Sequence, residues 1–511
     1  MTVDEGLQPY EPPPTTLTTT VLTGPDRLQV SDATGPLAML TVGAKTVTMR
    51  GQQRTFTEQK RPFVDAFTRT SLATFGASPG GGNWSNSGTD TLYTVSGGVG
   101  QISCDVANSS RHATVLDDLA NVDVTAKVTV TTVPAGATAS IGLSFGYTAT
   151  NNANRARLLI TTAGVVQLTL EKEVGGTVTT LGAATQVGTG FAAGDWWRIR
   201  AERAGTTIRC RAWKDGTTEP ATWLFSFTDT SLLVGRVGFR ALASTGSTGL
   251  PRQFKVDDLT LNSGTWPDPP VITHNQWVRV LDTPFSGTWT PALANQIRTW
   301  AVDTSPDALA YALMYTTGAP TVTSPALSGA QIAGQCNYGP LDTAGHPIEG
   351  ADFHDYMGVN WVFPNGETQA AGAGETGCMD CSGYVRMLYG YHLGIPMVRN
   401  TNFDGVNLPR QIKDIGPSGP GVIIAQSASS APSMTSMQIG DIVLFDADDS
   451  DATPGQIDHD GIYLGTDTAG HPRFANSRRS PNGPTFGDLG GSSTLDGAGL
   501  YATSLRIIRR F

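Results

Sequence analysis

Apolar and polar residues alternate with a period of two through the middle of the chain. Between residues 122 and 130 every second residue is Val or Ala, and most residues between them are polar or charged. The same alternation recurs at 141–147, 197–201 and 208–212, with Gly, Asn or Asp turn residues between the stretches. Alternation is typical of a half-buried strand. Many short strands at this spacing predict a β-sandwich over residues 61–265.

The sequence on either side of the predicted sandwich changes character. Residues 1–60 are rich in Pro and Thr around a short β-like stretch at 40–54, which predicts an attachment or linker segment. A Pro-rich break at 266–270 opens a linker and helical bridge over 266–349, where Thr290-Pro291 and Ser305-Pro306 each pair an N-cap hydroxyl with Pro at the first helical position. Residues 350–511 form the last domain, so we expect a multidomain, β-rich protein.

Composition and charge narrow the class of protein. The chain has 511 residues, a net charge of -10 and only five Cys. Its acidity argues against nucleic-acid binding, which needs clustered Lys and Arg. No stretch approaches the roughly 18 to 20 apolar residues of a membrane span. The start, 1–14, is acidic and Pro-rich and unlike a secretory signal peptide. Scattered Cys in odd number predict reduced, cytoplasmic folding without a disulfide framework.

Candidate chemistry begins at Cys381. The sequence from Cys381 to His392 predicts a helix ended by Gly394, and a Cys at a helix N-terminus is favoured as the nucleophilic thiolate. Cys378 and Cys381 also have the Cys-x-x-Cys spacing of half a zinc site or of a redox pair. No second Cys or His pair follows at zinc-finger spacing, and a redox pair normally belongs to a short thioredoxin-like unit. A cysteine nucleophile is therefore the favoured interpretation.

A candidate base lies about 80 residues further on. His459 opens a predicted strand directly after the strand at 440–445 and a polar loop, although a lone His is more often structural. On the next strand the alternation puts Phe474 and Asn476 on one face, so the amide oxygen of Asn476 is predicted to orient the imidazole. His471 competes for this third role, but it precedes Pro472 in a turn where we expect an exposed side chain.

The stretches 380–385, 440–445 and 459–465 resemble the NlpC-like cell-wall peptidases in order and spacing. The resemblance implies a papain-like α+β fold, catalysis without metal or cofactor, and cleavage between D-glutamate and the diamino acid of peptidoglycan stem peptides. It also implies oxyanion or substrate roles for Tyr356, Asp380 and Ser382, with the Cys381 backbone N–H as an oxyanion donor. Related Cys-His folds act as amidases between muramic acid and L-alanine, and that alternative stays open.

The sandwich resembles the concanavalin-like jelly rolls at 63–67, 82–84 and 254–259. The resemblance implies glycan binding and a structural calcium, with Asp65 and Asp257 as candidate ligands. Because Ca²⁺ takes six or more oxygens, the alternative is that both are ordinary strand-end residues. The aromatic residues of this region either stack on sugars or fill the core. They are Trp196, Trp213 and Trp223.

The whole chain resembles minor tail proteins of actinobacterial phages, on the stretches 46–51, 54–58 and 350–356. This implies a location in the virion tail, assembly in the host cytoplasm, and several copies in one tail. The implied partners are bacterial peptidoglycan, other tail-tip proteins and a cell-surface glycan. A structural or adhesion protein with a degenerate peptidase is the remaining alternative, against which the intact Cys381, His459 and Asn476 argue.

Overall fold

The structure is a computed structural model that divides into two compact units. One comprises Met1–Gln59, Pro269–Pro340 and Ile348–Phe511, and the other comprises Lys60–Asp268 and Leu341–Pro347. The described residues are 14–58, 63–78, 83–262, 269–342, 347–399, 406–448, 453, 455–479, 481–488 and 491–511. Outside them lie the acidic start at 1–13, Gly82, and residues 263–268, which include the first part of the Pro-rich break. Among the described residues, no helix has the length and apolar character needed to cross a membrane.

The second unit is the predicted β-sandwich. Its first sheet runs in the order Phe225–Thr228, Thr207–Lys214, Trp197–Ala204, Val122–Val130, Arg252–Leu261, Val99–Cys104, Tyr93–Ser96, with Phe63–Asp65 also paired to Arg252–Leu261. Its second sheet runs Thr177–Gly188, Val166–Val174, Asn152–Ile160, Ala139–Ala149, Gly235–Ala243, Arg111–Leu119, Ser85–Asn86, and the 3₁₀ turn Asp90–Leu92 precedes Tyr93–Ser96. All strand pairs in both sheets are antiparallel.

The alternation predicted from the sequence fills the core between these two sheets. The apolar phase of Val122–Val130 is buried throughout, as are Ile141, Leu143 and Phe145 on the facing sheet. Of the three candidate sugar-binding tryptophans, Trp213 is buried, whereas Trp196 and Trp223 are half-buried and contact the cations Lys127 and Arg211. The prediction of a β-sandwich is confirmed.

The N-terminal segment is a folded sheet, and its prediction as a linker was wrong. Four antiparallel strands follow one another and are completed by a strand from beyond the sandwich. The order is Thr18–Leu22, Arg27–Asp32, Gly35–Thr41, Thr46–Thr57, Val271–Val280. In the pair formed by the last two strands, Thr46 lies opposite Val280 at one end and Thr57 lies opposite Val271 at the other. Sequence periodicity could not show this pair, because about 210 residues separate its two strands along the chain.

This N-terminal sheet and the C-terminal domain belong to one unit and share backbone hydrogen bonds. The amides of Lys45 and Thr46 each donate to the carbonyl oxygen of Phe511 at 2.7 Å. The guanidinium of Arg510 bonds to Thr41 at 2.6 Å, and the Glu58 carboxylate accepts from the amide of Phe486 at 2.7 Å. The compact unit that contains the C-terminal domain therefore extends well beyond residues 350–511.

Two helices follow the strand Val271–Val280, as the sequence predicted. Thr290 caps Pro291–Ala301 by accepting from the amide of Leu293 at 3.2 Å. The second helix, Ala308–Leu313, is capped by Asp307 and not by the predicted Ser305. A carboxylate accepts hydrogen bonds from the backbone N–H groups of a helix N-terminus as effectively as a hydroxyl does. Asp307 also forms an ion pair with the buried Arg54. The bridge is thus part of the core.

The C-terminal domain packs helices against an antiparallel sheet. The strand order is Val422–Gln426, Leu505–Arg510, Ile442–Phe445, His459–Thr466, Pro472–Arg478, Gly483–Thr485. The helices are Phe353–Met357, Cys381–Val385 continued by a π-helical turn Arg386–His392, Ile412–Ser418 and Leu500–Ser504. Shorter elements are the 3₁₀ turn Pro325–Leu327 and the strand pairs Val322–Ser324 with Ala330–Ala333 and Trp361–Val362 with Thr368–Gln369. A large apolar core lies between this sheet and the helix that begins at Cys381.

Candidate active site

Cys381 is the first residue of the helix that packs on the sheet, as predicted. The carboxylate of Asp380 accepts from the amide of Gly383 at 2.8 Å and so caps this helix. The side chain of Cys381 is only 2% exposed. Its sulfur lies 3.9 Å from the carbonyl oxygen of Asp458, the residue before His459. The helix N-terminus therefore brings the thiol to the start of the strand that carries the candidate base.

His459 opens the strand His459–Thr466, and Asn476 lies on the next strand. The two side chains are in contact, with the amide nitrogen of Asn476 2.7 Å from Nε2 of His459. Phe474 and Asn476 are both fully buried on one face, as the alternation predicted. The predicted competitor His471 is half exposed in a turn and bonds to Asp496 at 2.9 Å.

The amide of Asn476 faces His459 with its nitrogen, whereas the sequence argument placed the oxygen there. An amide N–H donates, so Nε2 accepts and the ring proton of a neutral imidazole lies on Nδ1. The amide oxygen is buried and has no hydrogen-bond partner among the described residues. A half-turn of the amide exchanges two groups of nearly equal size, and it would let the oxygen accept from Nε2–H and free Nδ1 to accept a proton.

Cys381 and His459 line one cavity of about 710 Å³. Its walls carry cationic and anionic side chains in similar number. The cationic ones are Arg410, Lys413, Arg478 and Arg479, and the anionic ones are Glu349, Asp380, Asp448 and Asp458. At the cavity wall Arg479 and Glu349 form an ion pair at 3.1 Å whose side chains are 58% and 51% exposed. An exposed pair of this kind contributes little to stability and is open to exchange with a charged ligand.

Asp380 and Ser382, predicted to contact substrate or the oxyanion, are tied into a network that holds the helix. Arg410 bonds to Asp380 at 2.7 Å, to the hydroxyl of Ser382 at 2.5 Å, and to the carbonyl oxygen of Gly350 at 2.6 Å. Ser382 in turn donates to Asp380 at 3.2 Å. Both residues line the cavity, but their side chains are engaged in hydrogen bonds that hold the helix of Cys381. Nothing in the sequence spacing singled out Arg410.

The electrostatics of the resting thiol differ from the prediction. Burial raises the pKa of the Cys381 thiol well above its usual range, and neighbouring carboxylates add to the rise. These belong to Asp460, Asp380 and Glu349. Burial also lowers the pKa of His459 to about 3, with a further contribution from the nearby Arg478 cation. The effect of the helix N-terminus is therefore outweighed, and the resting pair is a neutral thiol and a neutral imidazole that line the same cavity.

Asp460, which the sequence analysis did not single out, contributes to the electrostatics of Cys381. It is fully buried, and neither carboxylate oxygen has a hydrogen-bond partner among the described residues. Burial, with Asp380 nearby, raises the pKa of Asp460 well above its usual range. Burial without a hydrogen-bond partner thus favours the protonated form of this carboxyl group over the charged one.

The predicted oxyanion tyrosine, Tyr356, is not at the site. It is fully buried in the core, where its hydroxyl donates to the carbonyl oxygen of Gly334 at 2.8 Å. A tyrosine upstream of Cys381 that does line the cavity is Tyr338, in an irregular segment. The prediction took Tyr356 as the closest counterpart upstream of Cys381 despite its long spacing, and the sequence does not show which upstream tyrosine the fold brings to the cavity. A second missed aromatic residue of the cavity is Tyr501, from the last helix.

The candidate calcium ligands do not fit a calcium site. Asp65 is fully buried and accepts from Arg69, from the amide of Phe67 and from the indole N–H of Trp84. Asp257 forms an ion pair with Lys127 at 3.0 Å. These donors already occupy oxygens that Ca²⁺ would need. In the part of the chain that the structure describes, no group of three or more His, Cys, Asp or Glu side chains is placed to hold a metal ion.

Cys378 lies outside the cavity. Its side chain is 4% exposed, and its backbone pairs with Asn337 in a parallel bridge. Burial raises the pKa of its thiol to about 11, and Cys378 and Cys381 are both free thiols.

A buried cysteine at a helix N-terminus, a histidine on the facing strand and an amide in contact with that histidine are the arrangement of side chains expected of a papain-like cysteine peptidase. Residues 366–483 match the sequence profile described as the NlpC/P60 family, a family of cysteine peptidases that act on peptidoglycan. The chain thus carries an NlpC/P60 domain and is a cysteine peptidase. A comparison with curated proteins found no match.

Solved structures similar to the chain include two carbohydrate-related proteins. One is the carbohydrate-binding module CBM66 from Bacillus subtilis, with 11% identity over 35% of this chain and 95% of that one, at a TM-score of 0.26. Another is a beta-1,3-glucanase from Mycobacterium marinum, with 14% identity over 40% of this chain and 100% of that one, at a TM-score of 0.29. Identities and TM-scores this low support no conclusion about ligand or activity.

Proposed function

We propose that the chain is a tail-associated peptidoglycan hydrolase that cleaves the stem-peptide bond between D-glutamate and the diamino acid. Cys381 is the nucleophile, His459 the base and Asn476 the residue that orients the base. The observation that carries this proposal is the shared cavity of Cys381 and His459, with Asn476 2.7 Å from the imidazole.

The neutral resting pair implies that the thiol loses its proton as it attacks, without a preformed ion pair. The Cys381 sulfur forms a bond to the scissile carbonyl carbon while the thiol proton passes to Nδ1 of His459. The imidazolium then bears protons on both nitrogens, so the oxygen of Asn476 must face Nε2 at this stage. This requires the half-turn of the amide described above.

The second half of the reaction restores the enzyme. The backbone N–H of Cys381 stabilises the oxyanion as the C–N bond breaks, and His459 returns the proton to the leaving amine. Water then attacks the thioester, His459 accepts a proton from it, and the carboxylate product leaves as the thiol is re-formed. No metal or cofactor enters this sequence of steps.

The mixed charges of the cavity support a stem peptide as the substrate. Such a peptide bears carboxylates and an amine, which the cationic and anionic walls would each meet with an opposite charge. Arg479 and Glu349 are well placed for this because their ion pair is solvent-exposed. The same charges are compatible with an amidase, which remains the second candidate and differs only in the bond that is cut.

The N-terminal sheet and the sandwich would serve attachment to the tail and to the host surface. Half-buried Trp196 and Trp223 are the aromatic faces in the sandwich that a glycan would contact. A purely adhesive role is disfavoured by the complete Cys381, His459 and Asn476 set.

Digestion of purified actinobacterial cell walls with the full chain, followed by mass spectrometry of the released fragments, tests the proposal. We expect a new amine on the diamino acid and a new carboxylate on D-glutamate, and loss of release by several orders of magnitude in Cys381→Ala. A new amine on L-alanine instead would assign the amidase reaction. Undiminished release by the folded Cys381→Ala variant would exclude the mechanism.

A further inference from the structure

The last helix of the chain, Leu500–Ser504, places an aromatic ring against the candidate base. The ring of Tyr501 stacks on the imidazole of His459, with centroids 5.3 Å apart and planes 26° apart. Phe445, on the strand paired with that of His459, lies 6.2 Å from the same imidazole at 37°. The base is thus in contact with two aromatic rings as well as with Asn476.

Tyr501 is itself held in place by a small apolar cluster. Its side chain is 7% exposed and packs edge-on against Phe445 and Phe474, at 5.1 and 5.2 Å between centroids. The guanidinium of Arg478 lies 5.6 Å from the centre of the Tyr501 ring. A ring packed in this way has little freedom to move, and it can transmit its position to the imidazole.

An imidazole that exchanges a proton with a thiol must keep its plane fixed while its charge changes. A single contact to Asn476 through Nε2 leaves the ring free to swing about that bond. The flat face of Tyr501 opposes such a swing. It also covers one face of the imidazole and so limits the access of water to that face.

We propose that Tyr501 is a positioning residue for His459, holding the plane of the imidazole and keeping water from one face of the ring. This inference rests on the proposed role of His459 as the base. The charged or titratable groups around His459 are Arg478 on the adjacent strand, Cys381 on the helix and Asp458 before it in the chain. Tyr501→Leu removes the ring that Arg478 contacts, whereas Tyr501→Phe keeps a ring there, so the Phe variant controls for a change at Arg478.

The experiment compares Tyr501→Leu and Tyr501→Phe in the full chain on wall-derived peptides. We expect Tyr501→Leu to lower kcat by roughly 10- to 100-fold, because it disturbs the base. Since Tyr501 also lines the cavity, kcat and not KM is the readout of positioning. Tyr501→Phe keeps the ring and should restore most of the rate. The matched control is Tyr463→Leu, which removes a tyrosine packed on the same apolar cluster.

The pH dependence separates positioning from a general loss of stability. Burial is the main cause of the low pKa of His459, so admitting water should raise that pKa and move the acid limb of kcat/KM to higher pH. Tyr463→Leu should not move the limb. An unchanged limb and kcat in Tyr501→Leu would overturn the proposal, as would a Tyr501→Phe variant as slow as Tyr501→Leu. Tyr501→Met, an unbranched apolar replacement, serves if the Leu variant does not fold.

A titration that needs no substrate keeps this test separate from the proposed function. In ¹³C-histidine NMR spectra of the full chain, the His459 signal should titrate at higher pH in Tyr501→Leu than in the unaltered protein. If walls are not cleaved but this shift occurs, the substrate assignment fails and the positioning role stands. If walls are cleaved and the signal does not shift, only the role of Tyr501 is lost.

Discussion

Replacing Asp307 by Ala should destabilise the unit that contains the peptidase more than any surface substitution in it. Asp307 accepts two hydrogen bonds from Arg54, at 2.8 and 2.5 Å, in a pair whose side chains are 3% and 0% exposed. It also accepts from the amide of Val278 at 2.7 Å and caps the helix Ala308–Leu313. One carboxylate therefore links the N-terminal sheet to the helical bridge.

The size of the loss in stability follows from the charge of Arg54, which stays buried without its partner. Removing one partner of a buried ion pair costs about 3 to 5 kcal/mol, since the other charge stays buried, and losing an N-cap costs about 1 kcal/mol. Whole domains are stable by only about 5 to 15 kcal/mol. Asp307→Ala should thus remove much of the stability of this unit. The pair of changes Arg54→Met and Asp307→Leu should cost less than Asp307→Ala alone, because no charge stays unpaired.

This loss is measured by urea unfolding of the full chain, with hydrogen exchange as the readout. Peptides covering 46–57 and 271–313 report on the unit that contains Asp307. Peptide resolution is needed because the two compact units can unfold separately. The matched control is Arg50→Ala, which breaks the more exposed pair of Arg50 with Asp32 in the same sheet and should cost about 1 kcal/mol or less. Equal losses in Asp307→Ala and Arg50→Ala would refute the reasoning.

Three further outcomes concern the site. Asn476→Ala should slow wall-peptide cleavage by roughly 10- to 100-fold while His471→Ala leaves the rate within about twofold, and the reverse order in steady-state kinetics would put His471 in the site. Cys378→Ser should retain activity and bind no metal, and a loss of activity with metal recovered by elemental analysis would revive the zinc interpretation. Asp460→Asn should raise the free energy of unfolding at pH 7 relative to that at pH 4, because the amide cannot ionise in the unfolded chain. Because the folded-state pKa of Asp460 is raised, the gain should grow as pH rises above about 4 and vanish below it in urea titrations; a gain independent of pH would contradict this.

Much of the site could be predicted from the sequence, because its parts are local. A capped helix beginning at Cys381, a strand opened by His459 and alternation around Asn476 each depend on neighbouring residues. Side chains that reach the cavity from distant segments could not be found in this way. Tyr338, Arg410 and Tyr501 come from an irregular segment, a loop and the last helix.

The protonation state of Cys381 was also beyond the sequence. The helix N-terminus favours a thiolate, but burial and the carboxylates that surround the sulfur act in the opposite direction and outweigh it. Which of these effects is larger depends on the three-dimensional surroundings of the sulfur. For the fold, alternation along each strand predicted the sandwich. The strands Thr46–Thr57 and Val271–Val280 pair with each other although the whole sandwich lies between them in the sequence, so alternation could not predict that pair.

Trapping the acyl-enzyme tests the central claim most directly. The full chain is mixed with wall-derived peptides, quenched in acid within the first turnovers, and digested for mass spectrometry. We expect a thioester adduct on the peptide that contains Cys381, with the mass of the acyl part of the substrate, and none in Cys381→Ala. Product release without any adduct on Cys381, or an adduct on another residue, would contradict the account.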